Sequence, residues 1–317
     1  MLTTFLATLE QMSRILLLLV IGFSLNKFHI LPKETEGIVS KLVTMLFLPC
    51  LMLHTNMTEC QISAFASYSV LVLAGTGLCV GSMLLSYPLS RLLGGKDAFM
   101  RGVYRYALSF PNTGAVATPL VLAFFGTAGL FRFNLFWFAG MLATYTWGIA
   151  QMQPDNQKGS VWRILLKCLN PTMIAMVAGL ILGLLGVNKW VPTIVSGTIK
   201  ELGNCYVTLG ILLAGFTIAD YPAGQVLGNP RVYLYAAIRL LGLPLLVLAL
   251  LLLCKAPPEL CTMAILAYSG PCGMNAVLYP AAYGQDCKLG ASMVLISSLS
   301  SVITIPVVYA LSQHFIG

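Results

Sequence analysis

Arg105-Tyr-Ala-Leu-Ser109-Phe-Pro111-Asn112-Thr113-Gly114-Ala-Val-Ala-Thr-Pro119 lies inside a long apolar segment, and its pattern decides the fold. Pro111 removes a backbone donor and clashes with the turn before it, and Gly114 adds conformational freedom. A second stretch, Tyr268-Ser269-Gly270-Pro271-Cys272-Gly273-Met274-Asn275-Ala-Val-Leu-Tyr-Pro280, carries related punctuation. Sliding the chain by 160 residues sets Ser109 on Ser269 and Pro111 on Pro271, and the same offset sets Pro32 on Pro192 and Gly37 on Gly197. Each stretch is predicted to be two half-helices joined by an unwound segment.

The surrounding composition says where such segments sit. Of 317 residues, 58% are hydrophobic and 9% charged, against about 25% charged in a soluble domain. Mean hydropathy is +0.87. A water-soluble enzyme and a disordered chain are both excluded. The apolar runs are long and continuous, which argues against a β-barrel, so the class is an all-α polytopic membrane protein.

A spanning helix needs about 20 apolar residues, and ten candidates can be counted. They cover 5–26, 35–54, 63–86, 98–125 and 129–152, then 168–186, 193–219, 231–253, 259–283 and 289–314. The common offset and the polar break near mid-chain predict a duplication: a first five-helix repeat (1–152), a connecting loop (153–167) and a second five-helix repeat (168–317). With five helices each, the second copy must cross the membrane upside down, a recurrent plan in secondary transporters. The two broken stretches fall on helices 4 and 9. The first run lacks a basic leader and a small-residue cleavage site, so it is expected to be a retained helix.

The net charge of +8 is read as topology rather than nucleic-acid binding. Loops on one face hold ten Lys and Arg and those on the other hold three. The richer face, with the connecting loop, is expected to be cytoplasmic, and both termini outside. The expected location is the plasma membrane, or the inner membrane of a bacterium. The nine cysteines show no C-x-x-C spacing, so neither a disulfide framework nor a zinc site is expected.

Unwound backbone is tolerated at membrane depth only where protein buries it or where it lines a wet cavity. Half-helix N-termini present free N–H groups suited to a carboxylate. The candidate substrate-binding set is therefore Ser109, Pro111, Asn112, Thr113, Gly114, Ser269, Gly270, Pro271, Cys272, Gly273 and Asn275. Arg239 lies roughly 12 Å into its helix at 1.5 Å per residue. It is read either as a charge partner for an anion or as a structural ion pair with Glu201 or Asp220. No cofactor is expected. The spans hold no cluster of Asp, Glu or His, so coupling to H+ or Na+ is left open, with a backbone-built Na+ site as one option.

Motifs along the whole chain resemble the auxin efflux carrier family, which includes malate-permease-like and PIN-like transporters. These are Phe47-Leu-Pro-Cys-Leu-Met-Leu53, Pro111–Leu120, Asn170-Pro171 with Ala178-Gly-Leu180, Thr208–Ala219 around Gly215, and Tyr279–Asp286. The resemblance implies two inverted five-helix repeats. Helices 1, 2, 6 and 7 would form a panel, and helices 3–5 and 8–10 a transport domain that moves like an elevator. It places Asn112 and Thr113 at one crossover and Gly270, Pro271, Cys272 and Gly273 at the other. Cys272 and Met274 make the second crossover less polar. The expected function is secondary active transport of a small organic anion, a mono- or dicarboxylate. An ion channel or transporter-like receptor is the alternative. An intramembrane enzyme would need a nucleophile and base that the spans do not hold. The expected partners are the solute and the lipid bilayer, without nucleic acid; the oligomeric state is open, a homodimer included.

Overall fold

A computed structural model describes residues 2–60, 65–153, 169–219 and 228–316. The expected connecting loop, apart from Gln153, and Asp220 lie outside the described residues. The described chain is helical throughout, with one isolated antiparallel bridge, between Pro111 and Cys272. We number the helices α1 (Leu2–Lys27), α2 (Glu34–Glu59), α3 (Phe65–Gly94), α4 (Ala98–Ser109), α5 (Thr113–Phe136), α6 (138–152), α7 (Pro171–Leu184), α8 (Thr193–Ile218), α9 (Pro230–Leu253), α10 (Pro258–Tyr268), α11 (Asn275–Ala282) and α12 (Lys288–Ile316).

Six helices among the described residues, α1, α2, α3, α5, α9 and α12, are long and apolar enough to cross a membrane. The expected fourth segment is broken as its proline predicts: α4 stops at Ser109 and α5 starts at Thr113. The ninth breaks likewise, α10 stopping at Tyr268 and α11 starting at Asn275. α4 begins at residue 98 and α10 at 258, which is the 160-residue offset again. The boundary expected between 125 and 129 falls at Gly126 inside α5, where φ is 63° and ψ −162°, a left-handed conformation suited to glycine.

Prolines account for three of the four π-helical turns among the described residues; the fourth, Thr144–Gly148 in α6, has no proline two residues after it. α2, α5 and α9 each contain a π-helical turn, at Val43–Phe47, Thr113–Ala117 and Ile238–Gly242, and each turn is followed two residues later by Pro49, Pro119 or Pro244. A proline ring clashes with the carbonyl four residues earlier. In all three cases that carbonyl (Met45, Ala115 or Leu240) lies within the wider turn. The π turn relieves the clash and keeps the helix continuous.

The helices sort into two groups, which meet where α1 packs on α12. α1 packs on α8, α8 on α2, and α2 on α7. α3, α4, α6, α9, α10 and α12 make up the other group, with α3 on α4, α9 on α10 and α10 on α12. Small residues let helices approach closely where lipid supplies no hydrophobic drive. The α1–α8 contact is reciprocal: a Cβ on Gly22 would overlap the Leu212 carbonyl oxygen, and one on Gly215 would overlap that of Leu19. Within the second group Arg105 joins three helices. Its Nε donates to Ser90 Oγ (3.2 Å), its Nη1 donates to Gln151 Oε1 (3.1 Å), and its guanidinium lies 4.4 Å from the Tyr87 ring centroid. Asp97 caps the start of α4, accepting from Met100 N at 2.9 Å.

The glycine contact makes a prediction. Gly215→Val should lower the melting temperature of the purified protein by about 5 °C or more, because overpacking commonly costs about 1–3 kcal/mol. Gly37→Ala, where nothing lies within 4 Å, should melt like the parent or slightly above it.

Candidate functional site

The two breaks meet. Asn112 N–H donates to the Pro271 carbonyl at 2.7 Å, within the Pro111–Cys272 bridge. A Cβ on Gly270 would stand 3.0 Å from the Pro111 Cβ, close enough that Pro111 would have to give way by a few tenths of an ångström. Prolines contribute no N–H, which leaves fewer donors to satisfy. Phe110 N donates to Tyr106 O (2.9 Å) and Thr113 N to Pro111 O (2.9 Å). On the other strand Ser269 N donates to Ile265 O (2.9 Å) and Cys272 N to Ser297 Oγ on α12 (2.9 Å).

The half-helices that leave the crossing begin differently. Asn112 caps α5, its Oδ1 accepting from Ala115 N at 3.1 Å. That spends the side-chain oxygen and leaves the amide nitrogen for the cavity. α11 has no side-chain cap. The N–H groups of Gly273, Met274 and Asn275 have no acceptor among the described residues, as the first N–H groups of a helix must unless something caps them.

A cavity of about 250 Å³ opens on this junction. Pro111, Asn112, Thr113, Gly114, Gly273 and Asn275 line it, with Thr44 and Met52 of α2, Tyr206 and Gly210 of α8, and Phe133, Asn134, Trp137 and Tyr145 opposite. The cavity thus lies between the α1–α2–α7–α8 group and the rest. None of its lining side chains among the described residues is an acid, a Lys, an Arg or a His. Apolar walls with a few convergent polar groups are the usual composition of a small-solute site.

Six of the eleven sequence-derived candidates therefore line the cavity, and five do not. Ser109, Ser269, Gly270, Pro271 and Cys272 are buried on the far side of the crossing. Arg239 does not reach the cavity either. It is fully buried, and its hydrogen-bond partners among the described residues are the Leu108 and Gly270 carbonyls, not Glu201; Asp220 lies outside the described residues. Cys272 turns its thiol toward Gly273 O (3.6 Å), so its low polarity does not bear on the cavity.

The sequence reading missed Asn134 and Tyr206. Asn134 is 3% exposed, lines the cavity, and its Nδ2 has no hydrogen-bond partner among the described residues. The signal was a lone amide in Phe131-Arg-Phe-Asn-Leu-Phe136, since a polar side chain in an apolar run is a functional candidate by default. Tyr206 projects from α8 against Gly114: a Cβ there would lie 2.6 Å from the hydroxyl oxygen. A larger cavity of about 430 Å³ lies elsewhere, beside the half-exposed Arg132–Glu259 ion pair at 2.9 Å. It touches neither unwound stretch.

Apolar helices of membrane-crossing length around a polar break in two helices define a multi-pass membrane transporter. The family profile described as "Membrane transport protein" matches residues 7–309, and the chain belongs to that family, the auxin efflux carrier group that its motifs resemble. No curated protein matches the chain significantly.

Two predictions follow from the lining. Asn134→Leu removes an unpaired buried amide, so the empty protein should be as stable as the parent or more so. The same variant should lose about tenfold or more in affinity for any solute that pairs with that amide, read by ligand-dependent melting. Gly114→Ala should cut flux by about tenfold by forcing Tyr206 out of place. Tyr206→Phe in the same chain should restore most of it, because the next nearest ring atom, Cζ, is 3.9 Å away.

Proposed function

We propose that the protein is a secondary active transporter of a small organic anion, a mono- or dicarboxylate, working by elevator-type alternating access. The observation that carries this reading is the pair of crossed breaks, one in each half of the chain, with a 250 Å³ cavity on their open side. Corresponding breaks in two halves are the strongest sequence pointer to a carrier's binding site. The uncapped N-terminus of α11 and the amides of Asn112, Asn134 and Asn275 offer hydrogen-bond donors, and no lining carboxylate repels a negative solute. Helix N-termini favour anions through their unpaired N–H groups and the helix dipole.

On this reading the protein has ten membrane-crossing segments in two inverted repeats. The matching starts of α4 and α10 support that arrangement. The α1–α2–α7–α8 group is the fixed panel, and the remaining helices carry the crossing past it. The cavity between the two groups is where such sliding would expose and then cover a solute. The charge asymmetry of the loops supports a plasma-membrane orientation with both termini outside.

Purified protein screened by melting temperature against mono- and dicarboxylates should show stabilisation by mass action with one class of acid. Asn112→Ala should lose that stabilisation and the associated flux, and should also lose about 1 kcal/mol of cap stability. Asn112→Ser keeps a capping oxygen and discards the amide nitrogen, so it should lose solute affinity with little change in apo melting. Unchanged flux in both variants would remove the crossing from the solute site.

A further inference from the structure

Arg239 stands behind the crossing, on the π-helical turn of α9, with no exposed surface. Its Nη1 donates to Leu108 O at 2.7 Å and its Nε donates to Gly270 O at 3.3 Å. One turn earlier on the same helix, the Tyr235 hydroxyl donates to Ala107 O at 3.1 Å. Ala107 and Leu108 close α4, and Gly270 follows the end of α10. A single helix thus satisfies terminal carbonyls from both half-helices, which have no partner inside their own helices.

The electrostatics agree with the geometry. A helix C-terminus carries roughly −0.5 elementary charge. Two of them together oppose the single positive charge of the guanidinium. No carboxylate pairs with Arg239 among the described residues. A lone arginine at this depth would be costly, and the two half-helix ends supply its counter-charge. Unwound carbonyls and half-helix C-terminal ends are the groups with which secondary carriers coordinate Na+. Here they already hold a cation, one that is part of the chain.

We propose that Arg239 is a built-in cation occupying the place where a coupling cation would otherwise bind, so that the crossing is closed without Na+ at this position. Arg239 is a positioning residue: it touches the backbone of the two breaks and reaches the solute site only through them. The term coupling rests on the carrier reading above, but the ion dependence of the folded state does not, and it is measured without any organic solute.

The experiment is a melting series on the purified full chain in sodium, potassium and choline chloride at equal ionic strength, with and without guanidinium at low millimolar concentration. The parent should melt at one temperature in all three salts. A saturable rise with Na+ alone would overturn the proposal, whatever the variants do. Arg239→Met should melt lower in choline by about 5 °C or more, because it leaves two buried carbonyls unpaired. Guanidinium or Na+ should recover a measurable part of that loss, and Arg239→Lys should fall between the two. Arg239→Met that melts like the parent in choline, or a deficit that no cation reduces, would overturn the proposal. Failure of the organic-acid screen would leave all of these melting results unchanged, so the two readings fail separately.

Discussion

A peptide group inside a membrane must find its hydrogen bonds within the protein, and this chain leaves the helix at two places where it has to do so. The solution is mutual. The Asn112 N–H donates to Pro271 O, Arg239 holds the Leu108 and Gly270 carbonyls, and Ser297 accepts from Cys272 N. The breaks share one backbone hydrogen bond, and α9 and α12 satisfy groups that the pair leaves over. The close approach in turn favours Gly270 and prolines with no N–H to bury. The cavity follows from the same geometry, since the crossing buries one side of both strands and leaves Asn112–Gly114 and Gly273–Asn275 open on the other.

The contact between the two helix groups has a different character. α1 and α8 meet backbone to backbone through Gly22 and Gly215, which leaves little room for adjustment. Across the cavity the groups meet through side chains such as Tyr206, Thr44 and Met52, which can change rotamer. On the proposed carrier reading, side-chain contacts such as Tyr206 against Gly114 are where one group would slide past the other. The π turns serve the same end, since they let helices that carry Pro49, Pro119 and Pro244 stay continuous while the breaks stay confined to the crossing.

The breaks were legible in the sequence because proline and glycine act locally: Pro111 and Pro271 stop their helices wherever the rest of the chain lies. The pairing of the halves was legible for a related reason, since matched breaks keep a constant spacing. What the sequence did not show was direction. Ser109 and Asn112 look equally suited to a polar site, yet the turn between them sends one behind the crossing and the other into the cavity. Arg239 was visible as an expensive buried charge, but its partners are backbone carbonyls, which carry no residue-type signal. Asn134 carries no charge and lies away from the proline breaks, so neither signal marks it.

The asymmetry of the crossing bears on how an anion would be held. By side chains the first break is the more polar, with Asn112 and Thr113 against Cys272 and Met274. By backbone the order reverses. Asn112 spends its oxygen capping α5, whereas α11 starts uncapped, with the N–H groups of Gly273, Met274 and Asn275 beside the cavity. Cys272 is turned away, so its thiol neither helps nor hinders. On the proposed reading a carboxylate would therefore sit nearer the start of α11, where dipole and free N–H groups coincide. The amides of Asn112 and Asn134 would then meet the rest of the solute. A site divided in this way recognises the charge with main chain and the remaining shape with side chains, so both parts contribute to affinity and the α5 side also discriminates among acids.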